Sequence, residues 1–517
     1  MRNRVSKLFA IFTFMIISVS ALAIGCGGSD NSNPTGGILR QPINLPTQGG
    51  LDGQNFLTFI YRSTAYGIYD NLVRLTTDGE IVPNLAKSWE ISNGGKTVTF
   101  ELEKGVKFHD GSDYNADVAV WVMNRLVNES KFKGDMGGMV DRSEAKDGKL
   151  IVHLKKPNRG FLGNLSIQAG HTVSKAQIEK VGEDDYDASP TGTGPFRLKE
   201  FTPGIRIELE RNTDYWEDNV PNLDGIIITG IPDETVQLAM IRSGEGDLMT
   251  YMSPNDLELV KDDPNLHVIG GGGTTRVIVM NNKIGPFAEN KALRQAVAYA
   301  LDRKAIIDVN WSGHGNPAYI PIIEEDWAHD STFKPYEKNI ETAKAKMAEA
   351  GYNDEELPLY CMSSAVEIRL CEVIQASLLQ ADLNVTIKRV IPGEYWSTWY
   401  KAYAGEGGDR STFGYWWWSW RPDPDITLTR AFRSDGSWNV ADYNSPEADR
   451  LLDAGRAEYD VAKAQAIYAD LYKVIMDDLP IAPFAFPKDY NVMSKKVKGL
   501  NWRPDPGVRY REIWMEQ

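Results

Sequence analysis

Apolar positions fall into one dense block near the start of the chain and two alternating periods after it. Leu8 to Ile24 is an apolar run of 17 residues, diluted by Thr13, Ser18 and Ser20. From Ile38 onward short strand-like runs alternate with amphipathic helical stretches, a pattern that predicts an α/β body with mixed sheets. Thr97 to Leu102 (TVTFEL) alternates with a period of two and follows the turn Asn93-Gly94-Gly95, which predicts a strand. Ala292 to Ile307 (ALRQAVAYALDRKAII) places apolar residues at helical spacing among strong helix formers and predicts a helix. No tandem repeat interrupts this alternation.

The apolar block has the flanks of an export signal. Met1 to Lys7 is short and basic, and small residues precede Cys26. The run is short for a membrane span of about 20 residues, and none like it recurs, so the expectation is a signal peptide over 1–25 and a soluble body behind it. Leu22-Ala23-Ile24-Gly25-Cys26 resembles the bacterial lipobox, with leucine four places before the cysteine instead of the usual three. Cys26 is then the lipidation site, and Gly27 to Gly37 (GGSDNSNPTGG) a flexible tether, giving a lipid-anchored segment over 26–37. The alternative is an ordinary secretory signal with a coincidental cysteine. Two or three acyl chains hold a membrane firmly where one does not, so the protein is placed outside the cytoplasm, periplasmic or at the cell surface, anchored to membrane.

At 517 residues the chain exceeds what one hydrophobic core sustains, so at least two lobes are expected. A composition 42% hydrophobic and 25% charged supports packed cores. Removing Arg2, Arg4 and Lys7 with the leader takes the formal charge from −15 to −18. Such a surface repels nucleic acid and anionic headgroups, so neither is a partner of the body. Besides Cys26 there are only Cys361 and Cys371, which either pair in an oxidising compartment or stay as two buried thiols.

No H-E-x-x-H, G-x-S-x-G or G-x-x-x-x-G-K-[ST] occurs, and the six histidines have no close metal-ligand spacing. The chain is therefore expected to be no enzyme, with no catalytic residue, metal or cofactor. A hydrolase is the disfavoured rival.

Leu85 to Asp117 (LAKSWEISNGGKTVTFELEKGVKFHDGSDYNAD) closely resembles the signature region of solute-binding protein family 5, which contains dipeptide- and oligopeptide-binding proteins. The likeness continues, in the family's order, through Tyr69 to Val73, Gly192-Thr193-Gly194-Pro195-Phe196, Arg211-Asn212 to Tyr215-Trp216, Arg294 to Arg303, and Tyr443 to Glu447. It implies the two-lobed fold of periplasmic binding proteins, type II-like, with an extra subdomain inserted in the first lobe. Lobe I would comprise 38–65, 189–275 and 480–517, the insertion 66–188, and lobe II 276–479. Gly270 to Gly273, a stretch of maximal backbone freedom, lies beside the first crossing between lobes, and Pro480 and Pro483 mark the second. The resemblance implies the substrate-binding component of an ABC uptake transporter, a monomer that delivers a small solute to permease and ATPase subunits. Peptide or peptide-like cargo is the default, with an oligosaccharide, opine-like compound or metal chelate as alternatives, and a ligand-sensing surface receptor as a rival of another class. His109, beside Asp110, reads as a hydrogen-bonded support with Gly111 at a turn, and Gly192 to Pro195 as a tight turn instead of a phosphate cradle.

The densest aromatic stretch, Tyr415 to Trp420 (YWWWSW), runs into Arg421-Pro422-Asp423-Pro424-Asp425. In an extended segment Trp416, Trp418 and Trp420 point one way, and that set is expected to face the cleft, where aromatic rings stack on sugars, peptide planes or cations. Tyr395, Trp396, Trp399, Tyr400 and Tyr403 read as a packing stripe. Peptide-binding members resemble W-x-x-D-Y, whose aspartate neutralises the ligand's ammonium. Here Trp420 stands in that place and Arg421 in the tyrosine's. Asp423 or Asp425 would substitute as the amine acceptor, or Arg421 would clamp a carboxylate or phosphate, or these side chains would pair with each other. The candidate ligand-binding residues are thus Trp416, Trp418, Trp420, Arg421 and Asp423.

Overall fold

The structure is a computed structural model that describes residues 36–55, 60–391, 394–395, 413–505 and 507–516. The leader, Cys26 and all but the end of the tether lie outside the described residues, as do Trp396, Trp399, Tyr400 and Tyr403.

Three main hydrophobic cores organise the body. The first gathers around a four-stranded sheet of order Ile38–Ile43, Gly225–Gly230, Arg206–Arg211, Phe196–Thr202. Leu39, Ile207, Leu209 and Ile226 fill it, closed by Ala65 and Ile68 of helix Arg62–Ile68 and by Val508, Tyr510 and Ile513 near the end of the chain. The second core lies under an antiparallel sheet of order Ala86–Ser92, Thr97–Leu102, Lys149–Leu154, Val140–Lys146, covered by helix Ala116–Asn128. Period-two alternation buries Val98, Phe100 and Leu102 from one strand and Leu150, Val152 and Leu154 from the next. Its residues fall between Leu72 and Ala169, a narrower stretch than 66–188, because Ile68, Tyr69, Val173, Ile178 and Tyr186 pack into the first core.

The third and largest core spans Val277 to Ala485. The helix expected over 292–307 is two helices, Lys291–Ala300 and Arg303–Trp311. Asp302 breaks the run by capping the second helix, its carboxylate accepting from the Ala305 N–H at 2.9 Å. Arg303 then turns into the core and donates to the carbonyls of Ala318, Pro483 and Tyr336. Cys361, on strand Leu357–Met362, is disulfide-bonded to Cys371 on helix Ala365–Leu379.

One strand of 14 residues, Ile481–Ser494, runs from the largest core toward the first. It pairs antiparallel with Thr274–Met280 at one end and with Leu266–Gly272 and Leu248–Met252 at the other. Gly270 to Gly272 sit inside this ladder opposite Tyr490, Asp489 and Lys488. A methyl group on Gly270 would collide with Tyr490, on Gly271 with the Trp502 indole, and on Gly272 with Glu325. These glycines therefore serve close approach between strands and neighbours, not a loop. Among the described residues no helix is long and apolar enough to cross a membrane.

Candidate functional site

Strand Phe413–Ser419 pairs with Thr274–Met280 so that Ser419 lies opposite Thr274, Trp417 opposite Arg276 and Trp416 opposite Val277. Directly paired residues point to the same side. Trp416 and Trp418 share their face with Val277 and Thr275, and that face is core. They are 5% and 6% exposed, and the Trp418 indole donates to the Pro321 carbonyl at 2.9 Å. The expectation that they line a cleft does not fit this burial. The other face, with Tyr415, Trp417 and Ser419, is the one that continues to Thr274 and Arg276. There the Arg276 guanidinium lies 4.8 Å from the Trp417 ring centre.

Trp420 is half-buried beside Ala318, Ile323 and Phe486, with its backbone N–H on the Gly273 carbonyl at 2.8 Å. Asp423 is engaged twice. It caps helix Pro424–Phe432 by accepting from the Asp425 N–H, and it pairs with Arg159 at 2.9 Å. Asp425 pairs with Arg456 at 3.1 Å and accepts from Thr429. Both carboxylates expected to substitute for the missing amine acceptor are thus occupied within the protein.

Thr274 lines a cavity together with Tyr251, Asp489, Trp502, Asp505 and Val508. Tyr251 sits in the left-handed region at φ 61° where the ladder slips between Met249 and Met252. Bulges and strained residues of this kind re-aim side chains at functional sites. The Asp489 side chain accepts no hydrogen bond among the described residues. Burial raises its carboxyl above the ordinary value, partly opposed by Arg276. Asp505 is buried between Arg62, at 2.9 Å, and Arg509, at 2.5 Å. Burial alone would raise its carboxyl, but the two guanidinium groups overcome that and hold it down at about 2. Arg509 in turn lies over the Tyr66 ring, 3.2 Å from its centre.

Arg421 donates to the Trp420 carbonyl at 3.1 Å and lies over the Trp438 ring, and no carboxylate stands within 4.0 Å of it among the described residues. Burial, and then the like charges of Arg62 and Arg430, push its guanidinium down to about 9, with Asp505 opposing. Arg62, Tyr251, Asp489 and Asp505 were not found by sequence reasoning. One signal was present: Trp420 to Pro424 (WRPDP) recurs at 502–506, where the second copy lines the cavity, and Arg421 of the first copy lies near enough to Asp505 of the second to help hold its carboxyl down.

The other landmarks are structural. Asp70 accepts from Asn84, Thr193, Tyr215 and Trp216, which ties three separate motifs to one buried carboxylate. Gly192 and Gly194 press against the Ile68 carbonyl, where any side chain would collide. The His109 ring bonds the Gly194 carbonyl at 2.9 Å, and burial lowers its pKa to about 4, so it is neutral near pH 7. Gly111 turns at φ 86°. Among the described residues no three His, Cys, Asp or Glu side chains converge to hold a metal ion.

A family model described as bacterial extracellular solute-binding proteins, family 5, middle, matches residues 80–439. The chain belongs to this family. Its function is solute binding for an ABC transporter. It is 30% identical over 479 residues to heme-binding protein A of Haemophilus influenzae, covering 86% of each chain. It is 28% identical to the dipeptide-binding protein of Pseudomonas aeruginosa, covering 86% of this chain and 88% of the relative. The ABC transporter-associated periplasmic binding protein DppA of Helicobacter pylori, solved with the peptide STSA, superposes with a TM-score of 0.83 at 25% identity, over 94% of this chain and 99% of the other. These relatives are binding proteins, and the two-lobed periplasmic-binding-protein fold is shared.

Proposed function

We propose that this protein captures a small peptide-like solute between its two halves and hands it to the permease and ATPase subunits of an uptake system. It works as a monomer, anchored outside the cytoplasm through acylated Cys26. The first lobe comprises 38–65, 189–275 and 480–517, the second lobe 276–479, and the insertion 66–188, which contains the core between Leu72 and Ala169.

The observation that carries this reading is Asp489, a half-buried carboxylate lining the cavity with no hydrogen-bond donor of its own among the described residues. Burial without a hydrogen-bond donor costs a carboxylate stability that the more distant Arg276 offsets only in part, and a ligand ammonium would supply the missing donor. Asp489 thereby takes the amine-binding task that Trp420 has displaced from its usual place. Peptide binding by relatives supports the same solute class. The test is binding of a peptide such as dialanine, followed by calorimetry. Asp489→Asn should weaken it on the order of tenfold, while N-acetyl-dialanine should bind both proteins equally poorly. Equal binding of dialanine by Asp489→Asn and the native protein would remove the assignment. For the anchor, Cys26→Ala should abolish fatty-acid labelling in cells, and persistent labelling would refute it.

A further inference from the structure

Arg276 and Asp489 are opposite charges that stand near each other without pairing. Arg276 meets no carboxylate among the described residues, and its Nε–H is buried and donates to nothing. Two indoles hold it instead: its guanidinium lies 4.8 Å from the Trp417 ring centre and 6.0 Å from that of Trp311, the last residue of helix Arg303–Trp311. Arg276 is registered opposite Trp417 on one neighbouring strand and Ala485 on the other. Ala485 and Asp489 are an even number of residues apart on strand Ile481–Ser494, so they project from the same side of the sheet as Arg276. The field of Arg276 reaches Asp489 and opposes the effect of its burial. The other charges around Asp489 are matched or solvated. Across the cavity Asp505 is held by Arg62 and Arg509, and Arg503 by Glu512 at 2.7 Å. Tyr251 is a neutral phenol on the same wall, Lys488 is exposed, the Tyr490 hydroxyl bonds the His314 ring at 3.0 Å, and Glu325 accepts from the Gly272 N–H at 3.1 Å.

We propose that Arg276, clamped by Trp417 and Trp311, is a positioning residue for Asp489: its charge stabilises that of the carboxylate, and the clamp stops its donors from taking the place meant for the solute's ammonium. A direct ion pair would fill the carboxylate's lone pairs, and a solute would then have to displace a guanidinium fork before it could bind. Held off by the indole faces, the guanidinium acts through its field alone, which carries further in a partly buried site than in water. A nearby cation favours the ionised carboxylate where burial disfavours it. The inference rests on Asp489 as the ammonium acceptor and adds what keeps that acceptor charged and vacant.

The experiment is calorimetry of the full chain with dialanine from about pH 4.5 to about 7, a window in which the peptide keeps both its charges, so that changes in affinity report the protein. Native affinity should fall toward acid as Asp489 takes a proton. Arg276→Gln removes the stabilising field, so Asp489 takes its proton at higher pH. The midpoint of the fall should move up by about half a pH unit or more, with the loss of affinity largest at the acid end, and Arg276→Lys should keep the native midpoint. Trp417→Leu releases the guanidinium onto Asp489 and should do the reverse, moving the midpoint down while affinity drops on the order of tenfold across the window. Trp311→Leu should follow it with a smaller effect. A loss in Arg276→Gln that is equal at every pH, as direct contact with the solute or a purely structural role would give, overturns the proposal and leaves Asp489 as the acceptor. Affinity that Asp489→Asn leaves unchanged, or no binding of dialanine at any pH, overturns both. Should Arg276→Gln fail to fold, the direction of the shift in Trp417→Leu decides alone.

Discussion

Asp326 shows what burial does to a single residue. Its carboxylate accepts the Ala328 N–H at 2.9 Å, and burial raises its pKa to about 8, reinforced by Asp423 and opposed by Arg159. Between the ordinary carboxylate value, about 4, and 8 the folded protein therefore holds a proton that the unfolded chain releases. Stability from this group is present in full at the acid end and is lost as pH rises, by about 1.4 kcal/mol per unit. His109, depressed to about 4, and His171, depressed to about 3, both by burial, work in the opposite sense below their ordinary value near 6.5. The contrast with Asp326→Asn isolates the first effect. The variant should gain on the native protein as pH rises from 5 to 8 in chemical unfolding, and a constant difference would refute the assignment. Residues such as Asp70, Gly192 and Gly194 were legible in the sequence because their motifs are local. Arg62 and Asp505, 443 positions apart, become a pair only through the fold.

Among elements, strand Thr97–Leu102 was readable because one face is core and the other is not, which produces clean alternation. Phe413–Ser419 was readable as a strand but not as to face, since large aromatics occupy both sides and alternation carries no direction. The helix break at Asp302 was hidden because apolar spacing continues across it, and only the cap and the turn of Arg303 into the core reveal it. The pairing of Cys361 with Cys371, left open by the sequence, joins a buried strand to the helix that covers it across a separation of 10 residues. A closed loop of that size restrains the unfolded chain, so replacing both cysteines with alanine should cost about 2–3 kcal/mol. Thermal unfolding under oxidising conditions measures this, and an unchanged midpoint would show that the bond adds no stability.

For the whole molecule, the contacts between the Leu72–Ala169 unit and the largest core decide how the cleft is held. Arg159 is the centre: its Nε meets Asp423 at 2.9 Å, its Nη1 donates to the Glu458 carbonyl at 2.8 Å, and its guanidinium covers Trp327 at 4.3 Å. Arg430–Asp135 repeats the connection at 2.8 Å, whereas Lys156–Asp453 is solvent-exposed and worth little. Burial raises Asp423 to about 6 although Arg159 opposes it, so without Arg159 the carboxylate would be buried with no cation. Removing one partner of a buried pair costs about 3–5 kcal/mol, close to the roughly 5.5 kcal/mol that moves a 1:99 balance between two states to 99:1. Arg159→Ala should therefore enlarge the radius of gyration in solution scattering and weaken solute binding on the order of a hundredfold. Arg159→Ala combined with Asp423→Asn keeps an acceptor for the helix cap but removes the stranded charge, and should recover part of both losses. If Arg159→Ala scatters and binds as the native protein does, the two units are held by packing, and the ion pair is not the clasp.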